Sequence, residues 1–425
     1  MKVKRTLPGK VATQVPEPNL STGSMLGRLR QMAKEKANSD ADADILVQDF
    51  RRENQPAVRS FISVSGAQRD VARQFPLLAY LIATKRVPPR QRRAAECAIA
   101  AGQPLSRIAR LAEVPMWTRA IPAASCIDPR GPLPQGADFT CRISDILRRR
   151  LDGDADLRGL LRVIAQTNAV GGEELALWLA SRHPEGHLGE DLTIPLRLIA
   201  LWYLFTKVEH GLGRSLILTR WSRDLSLETG VRAVRNFARR IDIELLVGPQ
   251  GLGDPWFPST TFMDLDFIPM LTSTQVRDEA LRNQNCLDWY AQRLAGNEAR
   301  IFSVRDRHGR CIANVEISGS EKFPSIPRIA QIKAPKNEAA EPYVTSIAET
   351  WLRRQIRAHG APDMRRRKLP APDARRWQEI VAPLRTAGTL PQWAEQCPTG
   401  EDLSKFDLEL SVLGYRLHAR GWRFA

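Results

Sequence analysis

Residues 300–317 constrain this fold more than any other stretch, because both strands of a β-hairpin and its turn are legible there. Arg300-Ile-Phe-Ser-Val-Arg305 and Arg310-Cys-Ile-Ala-Asn-Val-Glu-Ile317 flank Asp306-Arg-His-Gly309, whose Asp start and Gly end fit a four-residue connection. Pairing Arg305 with Arg310 sets the register. Side chains alternate between faces, so Phe302, Val304, Cys311, Ala313, Val315 and Ile317 share an apolar side, and Ile301, Ser303, Ile312, Asn314 and Glu316 share the other. A third strand, Arg328 to Lys333, adds Ala330 and Ile332 to the apolar side and sends Gln331 to the face of Glu316. Ser303, Glu316 and Gln331 thus converge on a face that is either solvent-washed or a site. Alternation alone favours solvent.

The helical run from Leu271 puts Val276, Ala280, Leu287, Tyr290, Ala291 and Leu294 on one stripe, suited to covering the apolar side of the sheet. Cys286 lies about 100° off that stripe, beside Asn285. A reactive thiol there needs a cationic neighbour or a helix N-terminus to depress its pKa: Arg282 and Arg293 are the candidate cations near in sequence, and His308 at the hairpin tip or His359 could approach in space.

From Ile45 to about Val247 apolar residues recur at helical spacing, as in Phe75, Leu78, Ala79 and Ile82, with Pro and Gly between the runs. Pro104 to Ile121 has the cadence of a helix-turn-helix. Pro115, bulky Trp117 and the stop at Pro122 make a packing corner the preferred reading. Leu192 to Val208 is the most apolar window, and Pro195 and Arg197 mark it as a core helix rather than a membrane span. The expected class is α+β: a mostly helical N-terminal region, a small α-β-β-β-α module with an antiparallel hairpin sheet, and a helical C-terminal tail. The expected domains are a basic flexible arm over 1–44, a helical domain over 45–250, the α/β module over 251–360, and a basic linker with a small helical appendage over 361–425. The Gly248 to Gly253 cluster marks the boundary before the module.

Lys and Arg outnumber Asp and Glu by 63 to 47, a formal charge of +16, which favours an acidic partner such as DNA or RNA. Three groups of cations are candidates for phosphate contact. Arg232, Arg235 and Arg239 fall on one helix face, where a solvated surface is the preferred alternative. Arg353, Arg354 and Arg357 lie on a later helix. Arg365, Arg366, Arg367 and Lys368 sit between Pro362 and Pro370, as in an exposed linker whose phosphate contacts fade with salt. The six cysteines form no C-x-x-C pair, and the first residues lack the apolar core of a secretory signal, so a cytoplasmic protein with reduced thiols is expected. No metal or cofactor is expected: among the histidines only His183 and His187 have helical ligand spacing, broken by Pro184 and Gly186, and no P-loop, G-x-S-x-G or H-E-x-x-H motif occurs.

The stretch LTSTQVRDEALRNQNCLDWYAQRL, then RIFSVRDRHGRCIANVEI, then IAQIKAPKN resembles the PcfJ-like protein family over Leu271 to about Leu352. Cys286, Tyr290, Ser303, Glu316, Gln331 and Asn337 fall on matching positions. Asn285 stands where the family pattern often has His, Asn314-Val315 replaces a small or hydroxylated residue before Glu316, and Ala334-Pro335 replaces a Gly. The resemblance implies a conjugative-plasmid or other mobile-element context and no settled reaction. Without the His, the thiol lacks an adjacent base.

Three functional expectations follow. The preferred one is a nucleic-acid-associated accessory protein of a mobile genetic element, with another protein of that element as a further candidate partner. The second is a hydrolase-like enzyme in which Glu316 is general base and Cys286 or a water the nucleophile, with Asn285, Tyr290, Ser303, Asn314, Gln331 and Asn337 binding on the polar face. The third is a protein-interaction scaffold.

Overall fold

The computed structural model describes residues 30, 41–151, 157–182, 193–319, 325–402 and 405. Most of the expected N-terminal arm, the His183/His187 pair and the last helical patch lie outside these residues. The chain divides into two compact units, Met1–Cys126 and Ile127–Ala425.

In the first unit, residues 41–48 are helical and five helices follow: α1 (Gln55–Ile62), α2 (Gly66–Gln74), α3 (Pro76–Ala83), α4 (Pro89–Ala100) and α5 (Leu105–Leu111). Leu77 to Ile82 are all buried, which makes α3 the central helix of the unit. After α5 the chain makes only a 3₁₀ turn, Met116–Ala120, with Trp117 buried in it, so this segment is a packing corner.

The second unit opens with α6 (Ala137–Leu151), α7 (Leu157–Arg182), α8 (Thr193–Thr206), α9 (Leu212–Ser215) and α10 (Leu227–Leu246). Gly172, at φ 82 and ψ 179, breaks α7 into two helical pieces, a conformation open to glycine but not to a residue with a Cβ. Two short strands come next, β1 (Thr260–Phe262) and β2 (Leu265–Pro269), then α11 (Ser273–Asn283), α12 (Ala291–Ala295), β3 (Ala299–Arg305), β4 (Cys311–Ser318), β5 (Arg328–Lys333), α13 (Pro342–His359) and α14 (Ala374–Thr386). The sheet is antiparallel with strand order β1-β2-β3-β4-β5, and α11 and α12 are inserted between β2 and β3. The protein is therefore α+β, with two strands more than the sequence suggested.

The hairpin register differs from the expected one. Val304 pairs with Ala313, Phe302 with Val315 and Ile301 with Glu316, and a bulge sets Arg305 opposite Cys311. The shift in the paired strands is by two residues, so the alternation of most side chains survives. The bulge turns Cys311 toward Asn283 and Asn314 and lets Ile312 pack on the apolar side, the reverse of the expectation for both. A second irregularity, between Glu316 and Ile317, places Ile329 rather than Ala330 on the apolar side.

The two faces are covered the opposite way round from the sequence reading. The apolar face, with Phe302, Val304, Ala313, Val315 and Ile317, packs on Val344, Ala348, Trp351 and Leu352 of α13. Trp351 stacks on Phe267 at 4.2 Å between ring centroids and meets Phe302 edge-on at 5.0 Å. The stripe Val276, Ala280, Leu287, Tyr290, Ala291 and Leu294 instead joins Ile301 and the helices α7, α8, α10 and α14 in the larger core. The polar face of the sheet is thus roofed by α11 and the segment after it. Ser303, Asn314 and Glu316 are buried.

No boundary falls at residue 250, because this core runs continuously from α8 and α10 into the module, and Leu252 N donates to Leu271 O. Residues 361–368 are no loose linker either. Met364 is buried with the apolar layer, and Asn297 Nδ2 donates to the carbonyls of Asp363 at 2.8 Å and Arg365 at 3.1 Å. α14 is not an appendage: Trp377, Ile380, Val381 and Leu384 lie in the larger core. No helix among the described residues is long and apolar enough to cross a membrane.

Candidate functional site

Local sequence sets the roof over the polar face. Thr272 and Gln275 form a capping box that starts α11, with Thr272 Oγ1 accepting from Gln275 N at 3.2 Å and Gln275 Oε1 accepting from Thr272 N at 3.0 Å. The helix does not run on to Leu294 as expected. Gln284 takes the left-handed conformation, Asn285 and Cys286 form a turn, and a 3₁₀ segment, Leu287–Tyr290, follows. Three amide side chains in a row, Asn283 to Asn285, suit such a stop better than continued helix. The break drops Asn285 and Tyr290 onto the sheet.

Glu316 is the centre of what they meet. It is 5 % exposed and sits directly opposite Gln331 across β4 and β5. The Tyr290 hydroxyl donates to Glu316 Oε2 at 2.7 Å and Gln331 Nε2 donates to the same oxygen at 2.8 Å. Gln331 Nε2 also donates to the Tyr290 hydroxyl. Arg293 Nη2 lies 2.5 Å from Oε1, its guanidinium against the Tyr290 ring. Burial first, and then the neighbouring Glu316 charge, push the Tyr290 phenol far up, so it stays a donor. A cavity of about 280 Å³ opens beside this group, lined among others by Asn285, Cys286, Asn314, Lys333 and Asn337. Of the polar residues expected to gather here, Ser303 alone is elsewhere.

Ser303 belongs to an adjoining network that sequence reasoning missed. Its hydroxyl donates to Glu279 Oε1 at 2.5 Å, Asn314 Nδ2 donates to the same oxygen at 3.3 Å, and Arg305 Nη2 lies 3.3 Å from Oε2. Burial would raise the Glu279 pKa, but the bonds from Cys311, Ser303 and Asn314 and the charge of Arg305 outweigh it and hold it below the usual range. Asn314 Oδ1 accepts from Asn285 Nδ2 at 2.7 Å, which joins the two networks. A signal was available: Glu279 and Asn283 stand three and seven residues after Val276, on its own helical stripe.

This arrangement is a pre-set polar lining rather than an activated catalytic pair. Both Glu316 oxygens are engaged by donors, Tyr290 and Gln331 on Oε2 and Arg293 on Oε1, which ties the carboxylate into the wall of the cavity. The Cys286 thiol donates to Asn337 Oδ1 at 3.4 Å, and burial, reinforced by the Asp288 charge, pushes its pKa up. Arg239 and Lys333 pull the other way without reversing that. Among the described residues no histidine lines the cavity. Among the described residues no group of three or more His, Cys, Asp or Glu is placed to hold a metal ion.

The cations expected to touch phosphate separate into two classes. Arg239 is buried and lies over the Trp289 ring with Arg235 beside it, while Arg232 pairs with Glu228 at 2.9 Å, so these three do not form a free stripe. The later cations are exposed. Arg365 pairs with Asp363 at 2.9 Å and Arg366 with Glu298 at 2.8 Å, whereas Arg353, Arg354, Arg357, Arg367 and Lys368 have no carboxylate within ion-pair distance among the described residues. A scan against protein families, a search of curated proteins and a search of solved structures each found no match to this chain.

Proposed function

We propose that this is a nucleic-acid-associated protein that meets phosphate with the outward side of α13 and the strap of residues 361–368 behind it. The observation that carries this is the exposure of Arg353, Arg354, Arg357, Arg367 and Lys368, none with a carboxylate within ion-pair distance among the described residues. Such cations release counterions when they meet a polyanion, which drives association without reading sequence. The overall charge of +16 acts in the same direction by raising the encounter rate. The likeness of 271–352 to the PcfJ-like family supports an accessory role in a mobile genetic element, with another protein of that element as a partner.

Electrophoretic shifts of the full chain on DNA and RNA across a salt series test the proposal. Each phosphate neutralised on duplex DNA contributes about 0.9 to the slope of log affinity against log salt. The Arg353→Gln/Arg354→Gln/Arg357→Gln variant is therefore expected to bind more weakly and to lose about 2–3 from that slope. Absence of binding at low salt, or an unchanged slope in the variant, overturns the reading.

A further inference from the structure

The other side of the Asn285–Cys286 turn opens onto a second cavity, of about 340 Å³, whose lining includes Asn236, Arg240, Gln284, Asp288, Trp289 and Asn337. An aromatic ring stands at its edge. Trp289 is 53 % exposed, although Leu287, Asp288 and Tyr290 of the same 3₁₀ segment are buried. The ring is held by cations instead of a core: the Arg239 guanidinium is 3.3 Å from its centroid and that of Arg235 5.2 Å. A guanidinium packed that closely covers one face, so the exposed half of the indole is a fixed, cation-backed stacking surface.

The polar groups around it have the mixed character that suits a planar heterocycle. The Arg240 side chain is only 4 % exposed, and its Nε lies 3.6 Å from Asp288 Oδ2, an ion-pair distance just beyond a hydrogen bond. The side-chain amides of Asn236 and Gln284 make none with any described residue, and each offers both a donor and an acceptor. A base edge carries the same mixture of donors and acceptors.

We propose that this cavity is a subsite for one unpaired nucleobase, stacked on Trp289 and met at its edge by Asn236, Gln284 and Arg240. The subsite rests on the nucleic-acid reading of the basic surface and narrows it to single strands or extruded nucleotides, because a base inside a duplex has no free face to offer the indole. DNA and RNA share the chemistry that the cavity recognises.

The test uses the full chain with labelled oligothymidylate, oligouridylate and a blunt duplex of equal length. Trp289→Ala is expected to weaken single-strand binding about tenfold, within the range for loss of one stacked base, and to leave duplex affinity and salt slope unchanged. Trp289→Phe keeps a ring and is expected to recover most of the loss. Which polymer responds distinguishes DNA from RNA. Equal single-strand binding by wild type and Trp289→Ala overturns the subsite, as does an equal loss on single strand and duplex. Free nucleoside monophosphates, followed by ligand-observed saturation transfer, separate this idea from the basic-surface reading. If the polymers do not bind, saturation of base protons by wild type but not by Trp289→Ala still upholds the subsite, and no saturation overturns it.

Discussion

Loss of the Tyr290 hydroxyl measures how firmly Glu316 is anchored. Tyr290 is 8 % exposed and Glu316 5 %, and their bond of 2.7 Å has a carboxylate as acceptor. A hydrogen bond to a charged group contributes about 1.5–3 kcal/mol, so Tyr290→Phe is expected to destabilise the sheet locally by that amount. In a double-mutant cycle with Glu316→Gln, the coupling is expected to be about 1–3 kcal/mol, since the two groups touch directly. Arg293 provides the control. Its side chain is 40 % exposed, so despite a 2.5 Å approach its ion pair is screened, and its coupling to Glu316 is expected to stay below about 1 kcal/mol. Native-state amide hydrogen exchange across β4 and β5 is the assay, because it reads local opening in a chain of two compact units, where one global transition is not a safe measure. A Tyr290–Glu316 coupling under about 0.5 kcal/mol, or one smaller than the Arg293 coupling, refutes the argument that the buried phenol holds the carboxylate.

Acid should weaken the helical part of the second unit through Glu174. Burial raises its pKa, but bonds from Tyr203, Lys207 and Arg223 prevail and bring it from 4.5 to about 2. A depressed acid stabilises the fold above its unfolded pKa and loses that contribution as pH falls through the folded value, so stability should decline between about 4.5 and 2. Glu174→Gln should flatten this limb when local opening of α7 and α8 is followed by amide hydrogen exchange across a pH series, and an unchanged limb removes the assignment. Cys286, with its pKa raised, should react with iodoacetamide near neutral pH more slowly than the exposed Cys97 and Cys141, as followed by mass spectrometry. Faster labelling at Cys286 would revive a nucleophilic role.

The hairpin was readable because Phe302, Val304, Ala313 and Val315 alternate cleanly around a turn with Asp and Gly at its ends. Its bulges were not, since nothing in Arg305 or Cys311 announces an extra residue. β1 and β2 escaped notice for a related reason: they are short, and Met263 and Asp264 adopt positive φ between them without the glycine that normally marks such a turn. The layer order was inverted because two helical stripes, one through Val276 and one through Trp351, were each apolar enough to cover Phe302. Only the polar residues on the first stripe, Glu279 and Asn283, distinguish it, and they match the polar face. The convergence of Tyr290, Glu316 and Gln331 was partly legible, since parity alone puts Glu316 and Gln331 on one face. Trp289 was not, because its exposure depends on the helix ending at Gln284.

Asn297 gives the basic strap a property that composition does not convey. Its side chain donates to the carbonyls of Asp363 and Arg365 and accepts from Trp256 Nε1 and Arg300 Nη2, so the backbone under Arg365 to Lys368 is bolted to the body of the molecule. On the nucleic-acid reading proposed above, an approaching polyanion would encounter a row of charges at a pre-set pitch, with little chain left to order, and capture would be governed by collision and ionic strength. A change at Asn297, which carries no charge itself, would unfasten that row and slow capture while the net charge stayed at +16.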